Sequence, residues 1–376
     1  MHFIPHLKFD FWSVLFILFC GMVVLQLAYV LFIYARLAFY KQKPTTSPLP
    51  PVSIIIAARN EADNIYENLP LILDQNYPEY EVIVVVNQST DESKYILEAY
   101  QQQYANLRFT IIEKSKHLRP GKKLSVNIGI KAAKHEHLVF TDADCRPVSK
   151  NWLKEIASQF SEKKEIVLGY GPYSVKKGFL NKLIRFDTAW IAVTYFSFAL
   201  SKLPYMGVGR NMGYTKTLFN KANGFKSHYS LPSGDDDLFI QEAAKKKNYA
   251  ISIHPDGFAE SEPEKTWSAW IRQKTRHHST SENYQVIKKA LLGIYPLTLL
   301  LLYLFFITLM FNEEFRLLTL AVFGFIFIIK WVIQGRCFYK LNEKSFVAFF
   351  PISDLFYAIL SPVIYYTSEN KTPNRW

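Results

Sequence analysis

Val52-Ser-Ile-Ile-Ile-Ala-Ala-Arg-Asn-Glu61 opens a run of alternating elements that decides how the middle of this chain folds. Val52 to Ala58 is a short, apolar, β-branched stretch, which reads as a strand buried on both faces. The polar Arg59-Asn60-Glu61 leaves it, and Asp63 can cap a helix running to about Leu73. The pattern then repeats. Glu81 to Val86 is a second strand followed by a helix from about Asp91, and Arg108 to Glu113 is a third strand. A helix runs from Gly121 to about Ala133, and His137 to Thr141 is a fourth strand. Such alternation predicts an α/β domain with a mostly parallel sheet and helices on both faces. Ligands of such sheets gather at the carboxyl ends of the strands.

The rest of the chain is far more apolar. Of its 376 residues 49% are hydrophobic and 16% aromatic, and both ends are too greasy for water. Phe11 to Tyr40 carries no acidic residue and exceeds the roughly 20 residues that cross a bilayer, so it reads as a retained anchor. Pro44 to Pro51 is a proline-rich linker. Further spans are expected at about Ala290 to Phe311, Leu317 to Val332 and Phe346 to Tyr366. The last contains Pro351, Asp354 and Pro362, so it reads as a broken or re-entrant helix as readily as a simple span. Residues 1–43 are therefore an anchor, 44–51 a linker, 52–283 the α/β domain and 284–376 a region of two or three spans. Ile184 to Leu203 fits either an interfacial amphipathic helix or one buried in the domain.

The formal charge is +12, from 44 basic and 32 acidic residues. No zinc spacing, RNP pattern or basic recognition helix accompanies it, which argues against nucleic acid. Much of the excess flanks apolar segments: Arg36, Lys41 and Lys43, then Lys265, Arg272, Lys274 and Arg276, then Lys330, Arg336 and Lys340. Positive-inside reasoning then places the amino terminus outside and the α/β domain in the cytoplasm. Cys20, Cys145 and Cys337 lie far apart and suggest neither a disulfide nor a metal framework.

Asp142-Ala143-Asp144 directly follows the fourth strand. Two carboxylates at a strand end can meet a hard divalent cation and the phosphates it carries. Alone, this triplet reads more simply as helix capping. Its neighbours change the balance, because Arg59-Asn60-Glu61, Asn87-Gln88-Ser89-Thr90-Asp91 and Gly121-Lys122-Lys123 all fall at the same sheet edge. Lysines at a helix amino terminus attract anions. Further on, Gly234-Asp235-Asp236-Asp237-Leu238 places three carboxylates side by side. Their repulsion raises the proton affinity of at least one, which suits a general base; a helix start stabilised by acidic residues is the plain alternative. Gln273 and Arg276 share one helical face in Trp267 to His278, a segment that also reads as a juxtamembrane anchor.

Taken in this order, the residues resemble the inverting, membrane-bound glycosyltransferases of family 2, with the Rossmann-like GT-A fold. Arg59-Asn60-Glu61 and Ser89-Thr90-Asp91 resemble the nucleotide-binding motifs, Gly121-Lys122-Lys123 the basic loop, and Asp142-Ala143-Asp144 the metal-binding Asp-x-Asp. Gly234 to Leu238 takes the place of the catalytic acidic motif, and Gln273-Lys-Thr-Arg276 that of Gln-x-x-Arg. The resemblance implies a nucleotide-sugar donor, a UDP-sugar by family expectation, with Mg²⁺ or Mn²⁺. Arg59, Glu61, Asn87, Asp91, Lys122, Lys123 and Asp142 would hold the donor, and Asp142 and Asp144 the metal. Asp235 would be the general base, with Asp236 the alternative and Asp237 completing the catalytic motif, while Arg276 of the Gln273–Arg276 pair holds the departing diphosphate together with the metal. Asn87 stands where the family usually has an acidic residue. His277 stands where processive polysaccharide synthases usually have Trp, which favours single transfer onto a lipid or lipid-linked acceptor. A processive synthase and a non-catalytic membrane scaffold are the competing readings, and a transporter fits less well because the polar sites lie outside the spans.

Overall fold

The computed structural model describes residues 10–42, 48–115, 121–245 and 247–368. Residues 1–9, Lys43, 44–47 of the proline-rich linker and the tail from 369 lie outside that range. The chain divides into two compact units. One comprises Lys41–Phe196 and Pro204–Asn283, and the other residues 10–40, Ser197–Leu203 and 284–368.

The first unit is built on a seven-stranded sheet, ordered β3-β2-β1-β4-β7-β6-β8. Its strands are β1 (Val52–Ala58), β2 (Tyr80–Asn87), β3 (Leu107–Ile112), β4 (His137–Asp142), β6 (Ile166–Leu168), β7 (Met212–Thr215) and β8 (Tyr249–Ile251). A small second sheet pairs β5 (Cys145–Pro147) with β9 (Ala259–Ser261). Strands β3, β2, β1 and β4 are parallel neighbours, as the strand–helix alternation predicts. Past β4 the sheet changes character, because β7 runs antiparallel to both β4 and β6. All seven residues of β1 are buried, whereas edge strand β3 is largely half-exposed. Ile54, Ile56, Val82 and Val84 anchor the core with Leu69, Leu97, Trp152 and Ile156. Full burial of each such aliphatic side chain contributes about 2 kcal/mol.

Helix Ala62–Leu73 starts one residue earlier than the Asp63 cap implies; Glu61 precedes it and Asp63 lies in its first turn. The chain leaves β1 and β2 by the same device, a left-handed residue: Asn60 at φ 54° and Gln88 at φ 52°. Both turns expose polar groups at the carboxyl ends of the strands, where the candidate site lies.

Helices Phe11–Ala38, Val286–Leu309 and Glu313–Lys340 are long and apolar enough to cross a membrane. Phe179–Leu200 also qualifies by length and composition, yet 78% of its most apolar stretch is buried, against 22–33% for the other three. That burial fits a packed helix over most of Ile184 to Leu203, while its end, Ser197–Leu203, belongs to the unit of the apolar helices. The last segment is one helix, Phe350–Ser368, with Pro362 inside it. In the second unit Phe19, Leu302, Phe315 and Ile326 pack together.

Two lysines assigned to the membrane flanks are buried ion-pair partners instead. Lys330 Nζ lies 3.0 Å from Asp354 Oδ2 and donates to Gln26 Oε1 at 2.8 Å. Tyr295 OH donates to the same Asp354 oxygen at 2.7 Å, and Gln334 Nε2 donates to Tyr295 OH at 2.8 Å. Gln26 Nε2 in turn donates to the Tyr295 carbonyl at 2.9 Å. In the first unit, Lys274 Nζ meets both carboxylate oxygens of Asp187, at 2.8 and 2.9 Å. A buried charge needs such a partner, so neither lysine can serve as a lipid-facing anchor.

Candidate active site

The loops after β1 and β2 interlock. Asn60 N–H donates to Ser89 Oγ at 2.9 Å, and Thr90 N–H donates to Asn60 Oδ1 at 2.9 Å. Asp91 Oδ2 accepts from Ala62 N–H at 2.8 Å, so this carboxylate caps the helix that follows β1. Asp91 thus has a structural task at a position taken for donor binding. Glu61 sits beside this lock. Burial, then the charges of Asp144, Asp142 and Asp91, raises the pKa of its carboxyl, while a hydrogen bond from Asn64 opposes the rise. Arg59 is half-buried at the end of β1.

Asn87, the last residue of β2, is fully buried. Its amide donates to the Gly121 carbonyl at 3.2 Å and to Ser125 Oγ at 3.0 Å. Its Oδ1 is buried with no partner among the described residues, an acceptor left free at the sheet edge. Gly121 precedes helix Lys122–Ala132, whose first two lysines diverge. Lys123 turns inward and donates to the carbonyls of His228 and Leu231, and burial pulls its pKa down to about 8. Lys122 turns to the carboxylates, 2.6 Å from Asp142 Oδ1 and 3.6 Å from Asp235 Oδ2. Burial would favour losing its proton, but Asp142, Asp235 and Asp236 outweigh that and hold the ammonium charged.

Asp142 ends β4, and Asp144 faces solvent in the turn before β5. Asp142, Asp144 and Cys145 each offer a ligand atom within 4.8 Å of the others, a grouping that the spacing of the cysteines did not suggest. The Cys145 thiol donates to Asp144 Oδ1 at 3.3 Å and lies 2.9 Å from Ser261 Oγ, and burial with the Asp144 and Asp142 charges keeps its pKa well above the ordinary thiol range. The two carboxylates remain as oxygen donors, and they fit a hard cation such as Mg²⁺ or Mn²⁺.

The acidic triplet separates into three roles. Asp236 caps helix Asp237–Ala243: it accepts from Asp237 N–H at 2.8 Å and from Gly209 N–H at 2.9 Å. Burial, then the Asp235 and Asp237 charges, pushes its pKa up to about 7. Asp237 is buried, accepting from Leu238 N–H at 2.7 Å and from Thr280 Oγ1. Asp235 accepts no backbone N–H among the described residues. It lines a small cavity with Lys122, Gly209, Thr141 and Tyr214. Gly234 reaches this turn at φ 101°, and a Cβ there would stand 2.7 Å from Leu238.

Helix Trp267–Ser281 carries Gln273 and Arg276, both half-buried. It is pinned by the Lys274–Asp187 pair, by Thr280 on Asp237 and by buried Trp270. Gln273 Oε1 accepts from Tyr173 OH at 3.3 Å. The Arg276 guanidinium makes no hydrogen bond or ion pair with a described residue.

Sequence reasoning missed Gly209-Arg210-Asn211. Gly209 approaches closely enough that a Cβ would stand 3.1 Å from Lys122 Nζ and 3.4 Å from Asp235 Oδ2. Asn211 is fully buried, donating to the Tyr170 and Gly257 carbonyls and accepting from Trp152 Nε1 at 3.0 Å. Arg210 stacks its guanidinium on the Tyr173 ring at 4.3 Å. The available signal was Gly207-Val-Gly-Arg-Asn211, two glycines ahead of a charge and an amide, which marks close backbone approach before a strand.

Residues 53–222 match the family described as Glycosyl transferase family 2. Glycosyltransferase AglE of Haloferax volcanii is 38% identical over 118 residues, 31% of this chain and 37% of that protein. Beta-monoglucosyldiacylglycerol synthase of Synechocystis sp. is 27% identical over 238 residues, 62% of this chain and 48% of that protein. The chain thus spans less than half the length of these two relatives. Among solved structures, mannosyltransferase PcManGT from Pyrobaculum calidifontis, in complex with GDP-Man and Mn²⁺, aligns with TM-score 0.54 at 18% identity. That alignment covers 93% of this chain and 98% of PcManGT, a likeness of fold.

Proposed function

We propose a function from one premise: the chain belongs to glycosyl transferase family 2. It is a membrane-bound inverting enzyme that moves one sugar from a nucleotide-sugar, a UDP-sugar by preference, to a lipid or lipid-linked acceptor at the cytoplasmic face. The carrying observation is the bridge made by Lys122 between Asp142 and Asp235 at the carboxyl edge of the sheet, with Asp235 the one carboxylate of its triplet free of backbone N–H groups. The lipid acceptor draws support from the three long apolar helices with largely exposed surfaces and from the lipid-glucosylating activity in the name of the Synechocystis relative.

Asp235 takes the proton of the acceptor hydroxyl as that oxygen bonds to the anomeric carbon. The bond from that carbon to the phosphate oxygen breaks, and the nucleoside diphosphate departs with the electron pair, inverting the centre. Lys122 holds Asp235 and Asp142 in register, so base and donor side stay a fixed distance apart. Asn87 holds the turn ahead of Lys122 through its amide on Gly121 and Ser125, and Glu61 lies within the field of Asp142 and Asp144. Bound between Asp142 and Asp144, Mg²⁺ or Mn²⁺ would neutralise charge on the diphosphate. Arg276, free of described partners, is available to the same group.

Membranes containing the protein, incubated with radiolabelled UDP- and GDP-sugars, are expected to yield one organic-extractable product. A water-soluble polymer or a ladder of lengths would reject single transfer, and an inactive protein with intact fold would favour the scaffold reading.

A further inference from the structure

Arg210 is a charged side chain held rigidly and left without a counter-ion. Its guanidinium lies 4.3 Å over the Tyr173 ring, and Tyr173 is fixed through its hydroxyl to Gln273. Gly171 also packs against this side chain, so closely that a Cβ there would stand 2.7 Å from Arg210 Nε. The next residue, Asn211, ties the backbone to three separate segments. No carboxylate of the described residues comes within ion-pair distance of Arg210, although its charge acts on Asp144 and Cys145. Its neighbour Gly209 touches the Lys122–Asp235 bridge. A half-buried guanidinium keeps its charge at any working pH and is costly to leave unpaired. A stacked, clamped fork beside a metal-type carboxylate suits phosphate oxygens, which it meets with two parallel hydrogen bonds.

We propose that Arg210 is the fixed cation that receives the diphosphate of the nucleotide donor, a second anchor beside Arg276. This rests on the transferase reading above. Arg210 touches the leaving group and is therefore a catalytic residue, while Tyr173 and Gly171 are positioning residues that aim it.

The test is calorimetric titration of the full chain in lipid nanodiscs, with Mn²⁺ present, using UDP, GDP, uridine and guanosine. The native protein is expected to bind one of the diphosphates far more tightly than its nucleoside. Arg210→Met should weaken that diphosphate roughly 10- to 100-fold and leave the nucleoside unchanged, the loss expected for a charge-assisted hydrogen bond. Gly171→Ala keeps the arginine but displaces it, and should give a smaller loss of the same kind. Arg210→Lys should recover part of the affinity. If the native protein binds a diphosphate and both Arg210→Met and Gly171→Ala bind it as well as native, the assignment of Arg210 is overturned and the transferase reading stands. Parallel losses for diphosphate and nucleoside would also overturn it, since they report general damage. If native protein binds neither UDP nor GDP, the transferase reading falls first and the assignment with it.

Discussion

Two sets of carboxylates lie at opposite ends of the sheet's parallel strands, and the fold treats them in opposite ways. Near the start of β2, Glu81 accepts from Ser53 Oγ at 2.7 Å, Lys134 N–H at 2.6 Å and Arg108 Nη1 at 3.0 Å. Burial alone would raise its pKa, yet these three donors bring it below the ordinary 4.5. Across the sheet, Asp142, Asp235 and Asp236 crowd around one ammonium, and Asp236 is pushed up to about 7. Similar side chains thus become a satisfied structural anion at one end and an under-neutralised cluster at the other. Satisfaction builds stability, whereas leftover charge and proton affinity are what a chemical step needs.

The comparison breaks if the crowded end proves dispensable. Asp235→Asn removes the proposed base without changing shape. Transfer is expected to fall by roughly 10²–10⁴-fold with nucleotide binding retained; steady-state rates and titration on the same preparation decide it. Unchanged turnover would assign Asp235 a structural task.

Glu81→Ala tests the opposite end. It strands the Ser53 hydroxyl and the Lys134 N–H in the interior, so a stability loss of about 2–4 kcal/mol is expected, with kcat intact below the melting temperature. Thermal melts paired with activity assays check both halves, and a catalytic defect without a melting shift would reverse the assignment.

Titration sharpens the contrast because the two signs differ. Asp236 binds its proton more tightly in the fold than its ordinary 3.8, so its contribution to stability declines as pH rises from about 4 to about 7. Glu81 is held lower in the fold, so its contribution is present above 4.5 and is lost as pH falls through its folded value. In metal-free melts across pH, Asp236→Asn should flatten the decline towards neutrality, and Glu81→Gln should blunt the acid limb. The same change in both limbs for either variant would show that the two ends are coupled.

The smallest effect is Ser53→Ala, which deletes one of three donors to Glu81. It should cost about 1 kcal/mol by denaturant melt and leave transfer unchanged.

Much of the first unit was legible because its information is local. β-branched runs, their polar ends and the order Glu61, Lys122, Asp142, Asp235, Gln273 lie along the chain as written. The antiparallel turn of the sheet past β4 was not legible, since β6, β7 and β8 are three or four residues long and pair across long separations. Lys274 and Lys330 misled for a related reason. A sequence displays a charge but not its partner, and Asp187 stands 87 residues from Lys274. Arg210 stayed hidden because one arginine after a glycine matches no motif until Tyr173 and Gly171 close around it.

The amino-acid sequence by itself determined that an α/β unit joins long apolar helices and that acidic and basic groups leave the strands on one edge, because periodicity and turn chemistry act over a few residues. Only the tertiary structure decided how each charge is used: Asp91 as a cap, Asp237 as a buried acceptor, Lys123 as a loop clamp, and Lys122 facing Asp142 and Asp235. Those assignments depend on which side chains meet through space, and the distance between partners along the chain carries no trace of it.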